Sequence, residues 1–405
     1  MARYILTING GSSSVKFALY SADGEPRRLM RGEVERIGQP GSMLTASALG
    51  NQPAQRLEIA AADHHQAASQ LVQWLLDRAG RDAISAVGHR VVHGGIHLIE
   101  HQLITDKVVA ELKRTQPLDL AHLPREIALI EGLREKLPGV PQVACFDTAF
   151  HRDLPRVAQL MPIPRRYIDQ GVRRFGFHGL SYTYLMTELK RIAGADAANG
   201  RVILAHLGSG ASMVAVRNGK PVDTTMAFTP TAGLVMGTRP GDIDPGLVIH
   251  LMREEKLSPE QMDDFISKRC GLVGVSDTSS DMRDLIARRQ KGDTRATEAV
   301  ELFCYQARKF IGAYAAAMDG LDTLVFTAGI GEHSPQVRAE ICSGLSFLGM
   351  RIDDNANADA VDEAIISAGD SRVTVRVIPT DEEQVIARAV RDIVNNMNPS
   401  RTSHA

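Results

Sequence analysis

The sequence predicts an α/β protein built from two related halves, and three observations lead there. Short β-rich runs alternate with amphipathic helical stretches along its 405 residues. A strand, a Gly/Ser turn and a second strand follow one another at 4–20, and the same plan returns at 202–216. Between the two, five of the 18 prolines fall in 138–164, so a domain boundary is expected at about 150.

The first half opens on Tyr4-Ile-Leu-Thr-Ile8, a β-rich run. The polar turn Asn9-Gly-Gly-Ser-Ser-Ser14 follows, and Val15 to Tyr20 resumes as a strand. Helical patterns come next at about 63–79, with Leu71, Trp74 and Leu75 on one face, at 106–114, and at about 125–137, where Pro138-Gly139 stops the helix. In the second half Val202 to Leu207 reads as a buried strand, Gly208 to Ser212 as a small-residue turn, and Met213 to Val216 as a strand closed by the hairpin signal Asn218-Gly219. Asp244-Pro245 and Ser258-Pro-Glu-Gln261 read as helix starts with proline at the first helical position, the second also a capping box. A long helix is expected over roughly 295–318. Strand Thr323 to Thr327 then leads into a glycine loop at 329–334 that opens a capped helix. Val373 to Ile378 reads as a strand, Thr380 to Glu383 as the cap of a helix through about 396, and 398–405 as a frayed tail.

Composition narrows the function. Lys and Arg total 46 against 48 Asp and Glu, a net charge of -2, which gives no electrostatic reason to expect nucleic acid as a partner. No run of 18 apolar residues occurs, so no membrane-spanning helix is expected, and the apolar stretch near Met1 is too short for a signal peptide. Cys145, Cys270, Cys304 and Cys342 lie far apart with no metal-ligand spacing. A reduced, cytoplasmic protein is expected.

Three glycine- and hydroxyl-rich loops follow strands, at 9–14, 208–212 and 329–334. Backbone N–H groups in such turns form anion-binding nests, and three in one chain favour phosphate over ordinary turns. There is no P-loop, no dinucleotide-binding glycine fingerprint and no nucleophile elbow. His151-Arg-Asp-Leu154 imitates the start of a protein-kinase catalytic loop but lacks its companions. His89, His93, His97 and His101 recur every fourth residue, yet Val91-Val92 and Gly94-Gly95 argue strand and turn, which removes the helical meaning of that spacing. Taken singly, Arg239 reads as a solvated charge in a broken loop, His178 as a packed histidine, and Asp147 as a cap. Asn9 reads as a turn residue and Glu382 as an acid suited to the positive end of a helix.

Read together, eight segments resemble the acetate kinase family: 9–17, 88–95, 146–151, 175–179, 206–212, 237–245, 329–332 and 380–383, collinear over nearly the whole chain. The resemblance implies the two-domain actin-like, sugar-kinase-like fold, with duplicated mixed sheets and an active site in the cleft between domains. It implies an N-terminal domain, 1–150, joined by the C-terminal helix 381–396, and a nucleotide-binding and dimerisation domain, 151–380. The implied reaction is reversible phosphoryl transfer from ATP to acetate, giving acetyl phosphate and ADP, with Mg2+ as the metal (Mn2+ as its substitute) and a homodimer as the assembly. Propionate or butyrate kinase is the alternative within the family. A nucleotide-binding sensor of the same fold is the alternative outside catalysis.

Residue by residue, the resemblance implies that Arg90 and Arg239 flank the carboxylate and the moving phosphoryl group. His178 bonds the phosphoryl oxygens, His122 supports it, and Asp147 orients the site. Asn9 and Glu382 hold the metal. Val92, Ala121, Phe177 and Pro230 line the acyl pocket. Ser12, Ser14, Lys16, His206, Gly208, Ser209 and Gly210 face the phosphates, while Asp281, Arg283, Gly329, Ile330 and Gly331 accompany the nucleotide. Two departures stand out. Ser209 replaces the usual Asn and shortens its reach, and Leu120-Ala-His-Leu-Pro124 keeps only the histidine and proline of the usual run, with Ala121 for leucine and Leu123 for asparagine.

Overall fold

The first strand is buried without interruption from Ile5 to Ile8, the mark of a strand covered on both faces. In the computed structural model, which describes residues 3–397 except 12, 51, 52 and 81, this strand belongs to the first of two compact units. One unit comprises Met1–Phe150 with Asp381–Ala405, the other His151–Thr380. The expected frayed tail at 398–405 and the phosphate residue Ser12 lie outside the described residues. Among the described residues no helix is long and apolar enough to cross a membrane.

Eight strands form the sheet of the first unit: β1 (Tyr4–Gly10), β2 (Val15–Ser21), β3 (Arg28–Glu35), β4 (Met43–Ala46), β5 (Gln55–Glu58), β6 (Ile84–Val91), β7 (Gln102–Leu103) and β8 (Gln142–Phe146). Their order is β5-β4-β3-β2-β1-β6-β8-β7. β1 and β2 are antiparallel, with Gly10 opposite Val15, whereas β1, β6 and β8 run parallel. Three parallel strands therefore end at one edge, and at such an edge ligands of α/β sheets bind. Helices His64–Ala79 and Leu123–Lys136 pack on one another, with Gly132 allowing close approach to Ala68. Helix Glu382–Met397 packs on β1, β6 and β8. Two cores result, one around Leu6, Phe17, Leu71 and Leu133 and a second around Val91, Leu123, Ile127 and Phe146.

The second unit carries six strands: β9 (Arg201–Leu207), β10 (Ala211–Arg217), β11 (Lys220–Thr224), β12 (Thr323–Thr327), β13 (Ala364–Ile365) and β14 (Thr374–Val377). Their order is β11-β10-β9-β12-β14-β13. β9 to β11 are antiparallel neighbours, β12 runs parallel to both β9 and β14, and β13 is antiparallel to β14. Every one of these directions matches β3-β2-β1-β6-β8-β7 of the first unit, so the repeated strand–turn–strand of the sequence marks a repeated sheet. Asn218 and Gly219 both have positive φ, as a two-residue hairpin demands. The long helix, Thr294–Ala317, is capped by Asp293, and Ser258 with Gln261 forms the expected capping box at Pro259–Lys268.

One element differs from expectation. The glycine segment after β12 is not a loop: Ala328–His333 is a short helix, and Pro335–Cys342 a second one. The reason is Glu332, whose Oε1 accepts from Ala328 N–H at 2.7 Å and Thr327 Oγ1 at 3.1 Å. That carboxylate stabilises the turn at Ala328, where φ is 63°, and offsets the poor helix propensity of Gly329 and Gly331.

Candidate functional site

In the first unit the chemistry gathers where β1, β6 and β8 end. β1 carries Asn9, β6 carries Arg90, and Asp147 follows β8 directly. Arg90 donates from Nη2 to Asp147 Oδ2 at 2.7 Å, from Nε to both Asp147 oxygens at 3.2 and 3.3 Å, and from Nη1 to Asn9 Oδ1 at 3.1 Å. Asn9 Nδ2 donates in turn to Glu382 Oε2 at 3.2 Å, and Arg90 Nε lies 3.8 Å from the same oxygen. The sequence brings Glu382 there because Asp381 accepts from Gln384 N–H and from Arg28, which starts the last helix over the sheet. Burial disfavours the Arg90 charge, but the carboxylates of Asp147 and Glu382 more than reverse that, and the guanidinium is held above its ordinary value. Asp147 is fully buried, so its orientation is fixed.

Behind this cluster sits Glu126, a residue that sequence reasoning missed. Both of its oxygens accept from Val92 N–H, at 3.1 and 3.2 Å. Burial, helped by the nearby Asp119 charge, pushes its carboxyl well above the usual range against the opposing effects of Val92 N–H and Arg90. Val92 is buried and Ala121 exposed. His122 stands just before helix Leu123–Lys136, its Nδ1 2.9 and 3.1 Å from the two oxygens of Asp119. Leu123, which replaces the usual asparagine, points into the second core and is fully buried.

The β1–β2 turn closes through Gly11 N–H to Ser14 O at 2.7 Å. It is also tied to helix His64–Ala79, because His64 Nε2 lies 2.9 Å from Gly11 O. Gly11 O can only accept, so Nε2 donates here, and burial lowers the His64 pKa. Lys16 is exposed on β2, opposite Asn9.

In the second unit His178 adopts the left-handed conformation, φ 58°, immediately before helix Gly179–Asn199. Its Nδ1 lies 2.8 Å from Ser212 Oγ, which also bonds Tyr182 OH. His178 stacks on His206 at 4.2 Å, and His206 Nδ1 lies 2.9 Å from Ser181 Oγ. Arg239 donates to Pro230 O at 2.6 Å. A Cβ on Gly210 would lie 2.7 Å from Arg239 Nη2 and 3.5 Å from His178 Nε2, so Gly210, Arg239 and His178 converge and the glycine is what admits the guanidinium. Phe177 is buried, and its carbonyl meets His151 Nε2 at 2.9 Å.

Beside this cluster opens a cavity of about 970 Å³, large enough for a nucleotide. Gly208, Ser209, Asp281, Arg283, Gly329 and Ile330 line it, whereas His206, Gly210 and Gly331 do not. Sequence reasoning missed Ser280, Met282, Ile286, Ala287 and Gln290 on the same wall. The amphipathic spacing of Met282 and Ile286 in helix Met282–Arg289 was the signal available for them. Asp281 caps that helix and pairs with Arg283, whose side chain is otherwise exposed.

At the first cluster Glu382 offers one carboxylate beside Asn9, whose Nδ2 donates to it while its Oδ1 accepts from Arg90, and among the described residues no group of three or more His, Cys, Asp or Glu could hold a metal ion.

Comparison with known proteins agrees. The profile of the acetokinase family matches residues 4–388. The chain is 42% identical to a protein named acetate kinase from Rhodopseudomonas palustris over 393 residues, 96% of this chain and 98% of that one. Solved structures of an acetate kinase from Porphyromonas gingivalis (38% identity, TM-score 0.87, 97% of this chain and 100% of that one) and of a propionate kinase from Francisella tularensis (34%, 0.90, 96% and 100%) are similar throughout.

Proposed function

The chain belongs to the acetokinase family and has the two-unit actin-like, sugar-kinase-like fold, and on that premise we propose that it transfers the γ-phosphoryl group of ATP reversibly to acetate. A carboxylate oxygen attacks the γ-phosphorus, the bond from that phosphorus to the bridging oxygen breaks, and its electron pair leaves on ADP. No proton is gained or lost, so general acid–base chemistry is not required. Two anions must instead be aligned and their charge neutralised.

Arg90 meets the incoming carboxylate and the moving phosphoryl group. An arginine has five N–H donors, and the bonds to Asp147 and Asn9 take three of them. Asp147 acts by keeping that guanidinium in plane. Arg239 and His178 donate to the phosphoryl oxygens, His178 being held by Ser212. The turns at 9–14 and 208–212 face the phosphates, and the 970 Å³ cavity takes the adenosine. Asn9 and Glu382 hold Mg2+ (or Mn2+), which when bound neutralises phosphate charge. Val92, Ala121, Phe177 and Pro230 define the acyl end.

The observation that carries this reading is the Asn9–Arg90–Asp147–Glu382 cluster: a permanent cation locked between carboxylates at the ends of three parallel strands. We further propose a cytoplasmic homodimer, supported by the exposed apolar side chains Val157, Leu160, Ile163 and Tyr167 of the second unit. The deciding experiment is acyl hydroxamate formation from acetate, propionate and butyrate with MgATP, with ADP release followed in parallel. Acid-dependent ADP release with acetate as a substrate is expected, with propionate accepted as well. ADP release that ignores the acid, or none at all, would remove the reading.

A further inference from the structure

The run Leu120–Pro124 is one of the two places where this chain departs from the family pattern, and next to it lies a side-chain pair that the resemblance does not predict. Asp119 and His122 face each other at 2.9 and 3.1 Å through Nδ1, and the same Asp119 Oδ1 accepts from His122 backbone N–H at 3.1 Å. The Asp119 side chain is only 3% exposed, that of His122 30%. The turn exposes Leu120 (59%) and Ala121 while burying its carboxylate, the reverse of what solvation favours. The bonds to His122 compensate that burial.

We propose that Asp119 is a positioning residue for His122, fixing the ring through Nδ1 so that Nε2 is the atom His122 turns toward substrate oxygens. This deepens the acyl-kinase reading and rests on it. An ionised carboxylate only accepts hydrogen bonds, so Nδ1 carries a proton. The neutral ring then offers Nε2 as an acceptor, and the protonated ring offers it as a charged donor held beside a fixed anion. Burial alone would raise the Asp119 pKa, yet the His122 contacts outweigh it and the carboxyl is held below its ordinary range. The other ionisable groups acting on the pair are His93 and Glu126, and behind Glu126 stand Arg90 and Asp147. Burial pushes the Glu126 carboxyl up while the His122 contacts hold Asp119 down, and it is Asp119 that His122 Nδ1 meets.

A purely structural reading exists, because Asp119 also closes the turn that begins helix Leu123–Lys136. A double-mutant cycle separates the two. If Asp119 acts through His122, Asp119→Ala lowers kcat about tenfold in the wild-type background and less than about twofold in His122→Gln, with the pH profile shifted only where His122 is present. Equal losses in both backgrounds, tracking a lower thermal midpoint, would overturn the proposal. A second measurement needs no turnover: the ring nitrogen spectrum of 15N-histidine-labelled protein, with His122 assigned by its loss in His122→Gln. Protonation at Nδ1, abolished or exchanged in Asp119→Ala, is expected. A ring protonated at Nε2 alone, or one that Asp119→Ala leaves unchanged, refutes the pairing. Should the wild type phosphorylate none of the three acids, the functional reading fails while this spectrum still decides the Asp119–His122 relationship.

Discussion

Gly88 and Ile386 stand so close that a Cβ on the glycine would lie 2.3 Å from Ile386 Cγ2 and 2.6 Å from Val390 Cγ2. The bare strand backbone is what lets helix Glu382–Met397 lie on β6 and bring Glu382 to Asn9 and Arg90. Gly88→Ala should cost about 1–3 kcal/mol of stability by overpacking. It should also raise the metal requirement, since lifting the helix moves Glu382. Urea unfolding and a Mg2+ titration on the same sample check both effects, and a loss of stability with an unmoved metal curve contradicts the second.

Removing Arg90 should act on turnover and on the fold together. Arg90→Ala is expected to lower kcat about 10²–10³-fold, through loss of roughly 2–4 kcal/mol of transition-state stabilisation. It also leaves Asp147 buried without its cation, a change that costs about 3–5 kcal/mol in stability. Arg90→Lys should restore part of the stability but little of the rate, because an ammonium cannot bond Asp147 and Asn9 in one plane. Steady-state kinetics beside thermal unfolding test the split. More than half of wild-type kcat in either variant refutes the role.

Glu382 opens a helix, where acids are favoured anyway by about 0.3–1 kcal/mol. If that were its whole purpose, Glu382→Ala would lose only this stability and keep its activity. The expected result is a folded protein that needs far more Mg2+ for half-maximal rate. Titrating the metal at saturating ATP and acid measures it.

If Ala121 lines the proposed acyl end, its replacement of the usual leucine leaves more room for substrate. Leu123 cannot swing in to refill that room, because it is fully buried among Val91, Ile127 and Phe146. Each buried methylene offers about 0.8 kcal/mol, so propionate should be preferred over acetate by at most about tenfold, and Ala121→Leu should shift kcat/KM back toward acetate. Leu123→Ala should instead cost about 2–5 kcal/mol of stability. Relative kcat/KM for the two acids tests the first claim and denaturant unfolding the second.

Two buried histidines set a pH dependence for stability. Burial lowers His89 and His151 to about 4, each partly offset by a hydrogen bond, to Gln142 and to the Phe177 carbonyl. The unfolded chain takes up these protons near pH 6.5, before the folded one does. Their contribution is therefore complete above about pH 6.5 and is lost as pH falls toward 4. The unfolding midpoint should drop steeply across that window, and His89→Gln should flatten the slope. An equal slope in the variant would exclude His89 as its source.

The sequence carried the repeated sheet and most of the charged site because both are written locally. Asn9, Arg90 and Asp147 each sit beside the end of a strand that can be read from its own residues, and parallel pairing then brings them together. What could not be read depends on partners remote in sequence. Glu126 reaches Val92 across 34 residues and His64 reaches Gly11 across 53, and neither side chain carries any local mark of its target. Glu332 shows the converse error. Two glycines predicted a loop, but one carboxylate folding back on Thr327 and Ala328 outweighed their propensity.

The first unit is assembled from two stretches of chain separated by the 230 residues from His151 to Thr380. A ribosome adding about 5–20 residues per second needs roughly ten to fifty seconds to cross that gap. During that interval the β6 surface around Gly88 waits without its covering helix, while the uninterrupted second unit can already fold. Glu382 is among the last functional side chains to emerge. A chain that stops between the end of the second unit and 382 therefore keeps β6 but lacks the helix that covers it, and leaves an apolar sheet face open to chaperones and proteases.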